Sequence, residues 1–276
     1  MLLPLQISEA GSGRILWISL FSGTSHPGTV CLEGVQWVVR RLRQAWPQVR
    51  ITLRGDGAFP LPVNLEACEA LPIDYVLGLA GNARLRRAGA ALLEEARRCA
   101  METGRKVRLF DELFYAAGSW ERKRRVIIKA EWLAEGPNLR FLVTTRREDP
   151  QALYDRIYVQ RGEDCENRIK ELKRGLSSDR STAPGRVSCH SARANQFRLL
   201  LFQAAYWLVL ELRRAARGTA LARAQVTRLR EQLLKTGALV KVTARRVWVH
   251  LASACPWKEV WFLIWQRLSV EGISSG

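Results

Sequence analysis

Glu166, Lys170 and Lys173 fall at i, i+4 and i+7 in the run Tyr158-Val-Gln-Arg161-Gly-Glu-Asp-Cys-Glu166-Asn-Arg-Ile-Lys170-Glu-Leu-Lys173. On a helix that spacing gathers one carboxylate and two ammonium groups on one face. Such a face suits metal-dependent phosphodiester chemistry, in which the acid holds a hard cation and the ammonium groups hold phosphates. A second acid, Asp56, closes the alternating segment Val49 to Asp56 between Gly55 and Gly57, where the backbone is free to turn sharply. Two-metal phosphoryl transfer needs several carboxylates converging, and Asp56 and Glu166 are plausible as two of them. The competing reading makes Glu166 the ion-pair partner of Lys170 on a solvated helix, and Asp56 a strand-end acid held by turn amides.

Charge favours an anionic partner. The 276 residues carry a formal charge of +18, and the basic residues are mostly arginine in clusters: Arg40-Arg41-Leu-Arg43, Arg84-Leu-Arg86-Arg87, Arg122-Lys-Arg-Arg125, Arg213-Arg214. Arginine suits bidentate phosphate contact, and an excess spread along the chain points to nucleic acid. A membrane surface is the alternative polyanion, but no basic amphipathic helix stands apart from the core. The most apolar stretch, Leu199 to Leu210, is too short to span a bilayer and reads as a buried core helix. Six cysteines without a CxxC pair fit neither a zinc site nor a disulfide framework, and no signal peptide is visible, so a reduced cytosolic protein is expected. The histidines His26, His190 and His250 offer no catalytic triad or metal pair.

The elements that must position these residues start with a strand at Pro4 to Ser8 and a Gly-Ser-Gly turn. Arg14 to Phe21 reads as a strand buried on both faces. A helix over Leu32 to Trp46 follows, with Val35, Val38, Val39, Leu42 and Trp46 as its apolar stripe and Pro47 as its end. The Asp56 strand, a short helix at Leu65 to Leu71 and a two-sided strand at Asp74 to Leu79 continue an α/β alternation. After a helix at Ala83 to Glu102 come three strand-like segments, Lys106 to Tyr115, Arg125 to Leu133 and Leu139 to Thr145. They read as an inserted antiparallel meander, with Gly136-Pro-Asn turning the second into the third. Helices return from Leu153, a Ser/Gly/Pro-rich loop spans Ser177 to Arg186, and a helix over Asn195 to Arg214 supplies core. The tail holds a hairpin at Leu239 to Leu251. Trp257, Trp261 and Trp265 follow at helical spacing, as core or subunit contact rather than a base-stacking platform.

Several of these stretches resemble, in order, the bacterial insertion-sequence transposases with a DDE catalytic domain, and more closely the subgroup called transposase DDE domain group one. The matching stretches are Arg50 to Phe59 (RITLRGDGAF), Asp74 to Leu85 (DYVLGLAGNARL), Trp120 to Trp132 (WERKRRVIIKAEW), Tyr158 to Lys173, and Ala194 to Leu201 (ANQFRLLL). The resemblance covers nearly the whole chain. It implies an α/β, ribonuclease-H-like mixed sheet with an inserted antiparallel β region and a mainly helical C-terminal part. The expected parts are 1–82 and 151–216 for the catalytic domain, 83–150 for the insertion and 217–276 for an extension. It carries the family's second aspartate to Asp56 and its glutamate to Glu166, both as metal ligands. Tyr158, Arg161 and Lys173 become DNA-positioning groups, and Lys170 lies on the same face. The implied cofactor is Mg²⁺, with Mn²⁺ as a substitute. The implied partners are transposon-end and target DNA, with a homodimer or a mixed dimer with an intact transposase, at the nucleoid of a bacterial cytoplasm.

The chain also departs from that pattern. No residue falls on the family's first aspartate; Glu9 is the only early acid and reads as a turn residue. The fold's first strand, a central one, appears missing, which would leave the backbone groups of its neighbours in need of other partners. Four residues separate Arg161 from Glu166 where the family has three, and Ser181 to Val187 looks like an insertion. Together these suggest a truncated copy, and they give the second reading: a catalytically dead basic DNA-binding protein that competes with an intact transposase.

Overall fold

The computed structural model describes residues 2–133, 136–162, 166–172 and 191–273, the last four as backbone. The chain divides into two compact units, one made of residues 1–20 and 165–276 and the other of residues 21–164. The first unit begins with a hairpin of β1 (Leu2–Ser8) and β2 (Ile15–Ser22). Its turn is fastened by Glu9, whose carboxylate accepts the N–H groups of Gly11 and Ser12 and whose own N–H reaches Arg14 O at 2.9 Å. Glu9 therefore has the turn role its position suggests. Only Ile15 and Ile18 of β2 are buried, so the strand is less enclosed than its apolar run implies.

The second unit opens with α1 (Pro27–Ala45), which starts five residues ahead of the expected Leu32. His26 supplies that start: its Nδ1 accepts the Gly28 N–H at 3.1 Å, and Pro27 occupies the first turn, where no N–H is needed. Val35, Val38 and Val39 are buried as the periodicity demands, but Trp46 lies beyond the helix and is exposed. Next come β3 (Thr52–Gly55), α2 (Pro62–Ala70) and β4 (Asp74–Leu79). The expected helix over residues 83–102 is two, α3 (Ala83–Ala88) and α4 (Ala90–Thr103). They break at Gly89, where a Cβ would lie 3.0 Å from Leu139.

The three segments expected as an insertion are β5 (Val107–Tyr115), β6 (Arg124–Leu133) and β7 (Gly136–Thr144). They are not a separate layer. One five-stranded sheet runs β3-β4-β7-β6-β5, with β3 and β4 parallel and every other pair antiparallel. Leu133 pairs with Gly136, so Gly136 to Asn138 belong to the strand and not to the turn expected there. The second face of this sheet is covered by α5 (Pro150–Leu153) and the π-helical segment Tyr154–Tyr158. Val76, Ile127 and Leu142 pack there against Leu153 and Tyr154. That cover is why β6 is buried on both faces although Lys129 and Glu131 alternate with its apolar residues. Lys129 lies over the Tyr154 ring at 5.0 Å and pairs with Glu131, which also bonds Asn138.

The first unit resumes with α6 (Asn167–Lys170), α7 (Ala192–Ala215), α8 (Val226–Leu229), β8 (Ala238–Val242), β9 (Val247–Leu251) and α9 (Lys258–Ile273). The loop expected at Ser177 to Arg186 lies outside the described residues. Side chains of α7 supply partners for the backbone of β2. Gln196 bonds both Ile18 O and Leu20 N–H, while Gln203 and Trp207 both donate to Ile15 O. Tyr206 and Val209 are buried, whereas Phe197, Leu201 and Leu208 are exposed, so α7 is covered on one side rather than enclosed. Trp257 and Trp261 pack on the core of this unit, and Trp265 is exposed. No described helix is long and apolar enough to cross a membrane.

Glu69 of α2 ties its helix to two strands. It accepts Arg124 Nε and Nη2 at 2.8 and 3.0 Å and the Tyr75 hydroxyl at 2.9 Å, and it pairs with Arg122. Burial pushes its carboxyl up, but these donors outweigh it and hold the pKa at about 2. The folded value lies below the unfolded one, so the stabilisation is complete above about pH 4.5 and is lost as pH falls towards 2. Glu69→Gln is expected to cost roughly 3 kcal/mol at pH 7 and distinctly less at pH 3, read by urea denaturation. A cost unchanged between the two pH values would refute the assignment.

Candidate functional site

Asp56 lies at the carboxyl end of β3, beside the parallel strand β4, the end at which open α/β sheets bind ligands. Two neighbours shape its turn. Gly28 of α1 lets the Ala58 carbonyl come so close that a Cβ there would lie 2.3 Å from it. Asn64 of α2 donates to both Gly28 O and Phe59 O, at 2.6 and 2.9 Å. The turn is thus held from two helices, and Asp56 joins it by accepting the Ala58 N–H on Oδ1 at 3.0 Å.

Tyr158 and Arg161 come to the same place from the covering segment. In the π-helical turn the Val159 N–H bonds Tyr154 O at 2.9 Å, and Arg54 of β3 donates to Ile157 O at 2.8 Å. Tyr158 then lies directly on β4: a Cβ on Gly78 would stand 2.5 Å from its hydroxyl and 3.1 Å from Gly57 N. Arg161, one helical turn on, places its guanidinium 5.4 Å from the Tyr158 ring centre and 3.8 Å from Asp56 Oδ2. Burial raises the Tyr158 pKa, with the positive charge of Arg161 acting against it.

Three of the six sequence-derived positions, Asp56, Tyr158 and Arg161, are therefore one cluster. Glu166 and Lys170 belong to the other unit, where both are exposed on a helical backbone, and no ion pair joins them. Lys173 lies outside the described residues. The segment that bears Glu166 is anchored within its own unit. Leu172 is buried, and Glu171 pairs with Arg213 and accepts the Tyr206 hydroxyl at 3.1 Å. Arg168 donates to Glu9 O and Ala10 O at 3.2 and 3.0 Å. Sequence reasoning missed Gly78 and Arg54, although both stand inside stretches that carry the resemblance; Arg54 shares its strand with Asp56, but nothing local marks Gly78 as the seat of a tyrosine.

A divalent ion is held by several oxygens. Among the described residues no group of three or more His, Cys, Asp or Glu side chains converges. Asp56 is 48% exposed, gives one oxygen to a turn amide and turns the other towards a guanidinium. As arranged, the described residues do not fit a metal centre. What this cluster offers is a carboxylate held beside a cation and a phenol at an open sheet end.

The contact between Tyr158 and Gly78 gives a direct test. Gly78→Ala is expected to destabilise by about 1–3 kcal/mol, because the added methyl overlaps the Tyr158 hydroxyl. Tyr158→Phe removes that oxygen, so the double variant should recover at least about 0.5 kcal/mol relative to additivity in a denaturation cycle. Strict additivity would mean that the two residues do not touch.

Among curated proteins none matches the chain significantly. The family described as transposase DDE domain group 1 matches residues 2–272, almost end to end. The mixed five-stranded sheet with helices on its faces is consistent with the ribonuclease-H-like domain of such proteins. The chain belongs to the transposase DDE domain group 1 family.

Proposed function

We propose that this protein is a derivative of an insertion-sequence transposase that binds transposon-end and target DNA but does not cut it alone. The family's activity is that of DDE transposases, which use divalent metal ions. The observation that carries the finer reading is the pairing of Asp56 with Arg161 beside Tyr158. Asp56 and Glu166 stand at two of the three acidic positions of the family resemblance, and no residue of this sequence stands at the first. The metal they would share is Mg²⁺, or Mn²⁺ in its place. With two protein carboxylates such ions are held weakly, and in the arrangement described Arg161 takes the place of a counter-ion for Asp56. Tyr158, Arg161, Lys170 and Lys173 are the DNA-positioning groups, acting at nucleoid DNA in a bacterial cytoplasm.

The second reading, a DNA-binding competitor of an intact transposase, rests on the same charge. The buried carboxylates Glu69 and Glu131 and the largely buried Glu171 are committed to internal cations, which leaves much of the +18 surplus for phosphates. The two readings part on catalysis, so nicking of supercoiled plasmid in Mg²⁺ and in Mn²⁺ separates them. Negligible nicking by this chain alone is expected. Robust metal-dependent nicking that vanishes in Asp56→Ala and Glu166→Ala would overturn that expectation and make the chain an active transposase.

DNA binding is expected to be largely independent of sequence and to weaken at least tenfold between low and moderate salt, because cationic contacts release counterions. Fluorescence anisotropy with unrelated duplexes measures this. An affinity unchanged across that range would refute phosphate contact as its basis.

A further inference from the structure

β8 and β9 form a hairpin whose ten residues are all exposed. Its register pairs Ala238 with Leu251, Val240 with Val249 and Val242 with Val247, which places these six side chains on one face. Every one of them is aliphatic. The other face carries the pairs Leu239–His250 and Lys241–Trp248, with His250 stacked on Trp248 and Arg246 over the same ring. The hairpin is therefore amphipathic in the manner of a sheet that packs on something, yet on its aliphatic face the four valines and Leu251 remain 39 to 70% exposed. Two strands alone are marginal in water, so a covering partner is also a condition of the hairpin's stability. Its base is fixed by the Ala252 N–H bonding Gly237 O at 3.2 Å and by buried Cys255, which holds the aliphatic face in a set place on its unit.

We infer that this face is the contact between two copies of the chain, joined hairpin to hairpin about a two-fold axis. The partner follows from charge and area. The face holds no cation, so it does not serve nucleic acid, which the rest of the surface suits. Two copies at +18 each repel wherever their surfaces are basic, and this charge-free patch is where that repulsion is least. A flat aliphatic face is also complementary to itself, as a two-fold contact requires. The six side chains offer on the order of 500 Å² per copy, so pairing removes about 1,000 Å², the lower bound for a specific interface. Exposed aliphatic surface of that extent on a basic chain is otherwise an aggregation liability.

Sedimentation velocity of the full chain in moderate salt tests this. The wild type is expected at twice the 31.3 kDa chain mass at micromolar concentration. The double variant Val240→Glu with Val249→Glu should fall to the single mass, while Leu239→Lys on the opposite face should keep the double mass. Mixing the glutamate variant with its lysine counterpart, Val240→Lys with Val249→Lys, should restore the double mass, which unfolded variants cannot do. A wild type of single mass overturns the inference, as does a glutamate variant that stays double or a mixture that fails to recover. A single-mass wild type that binds phosphatidylserine vesicles through the same valines would assign the face to a membrane instead. None of these readings depends on nicking or DNA affinity, so the dimer and the DNA function stand or fall separately.

Discussion

The placement of the candidate site depends on one close approach, the phenol of Tyr158 lying on bare backbone at Gly78. Any side chain at that position of β4 would lift the covering segment off the sheet. Arg161 follows Tyr158 by one turn, so its 3.8 Å distance to Asp56 is set by the same contact. Beneath it, the apolar layer of Val76, Ile127, Leu142, Leu153 and Tyr154 supplies the burial that holds the segment down. The opposite side of the site is fixed by a second close approach, the Ala58 carbonyl at Gly28. Two glycines thus bring a strand end, a helix start and a π-helical segment to one point, where larger residues would keep them apart.

This explains what was legible in the sequence and what was not. Asp74 to Leu79 was readable as a strand with the same bounds, because an apolar run of that length between turn signals has few alternatives. The long helix over residues 192–215 was readable for the same kind of reason. Asp56 and Tyr158 were readable as types at a spacing, and through family resemblance. The role of Gly78 was not, because a tertiary contact leaves no local periodicity. Nor was the burial of Lys129 and Glu131, whose alternation on β6 reads as a solvated face until Tyr154 covers it. The start of α1 was missed because histidine is not among the strongest capping residues, although His26 accepts the Gly28 N–H all the same.

Backbone accounting shows the same economy in the first unit. With only β1 beside it, β2 has further donors and acceptors to satisfy, and α7 supplies them from side chains instead of from another strand. Gln196 acts as both donor and acceptor, standing in for a peptide group, and Gln203 and Trp207 converge on one carbonyl. The groups that would suffer from an absent neighbouring strand thus find partners, at the cost of burying amide side chains within an otherwise apolar helix face.

Charge then links the two scales. A chain with 44 basic and 26 acidic residues cannot pair every cation internally, and the acids with depressed pKa values are those already surrounded by donors. Asp56 differs from them: it is half-exposed and meets its arginine at 3.8 Å rather than in a tight bidentate pair. A phosphate arriving at the sheet end would compete with Asp56 for Arg161, and a contact of that length concedes the guanidinium more readily than a buried fork does. The same loose pair that keeps the carboxylate from acting as a free metal ligand therefore leaves the arginine available to DNA. Binding without cutting follows from one geometry and needs no second defect.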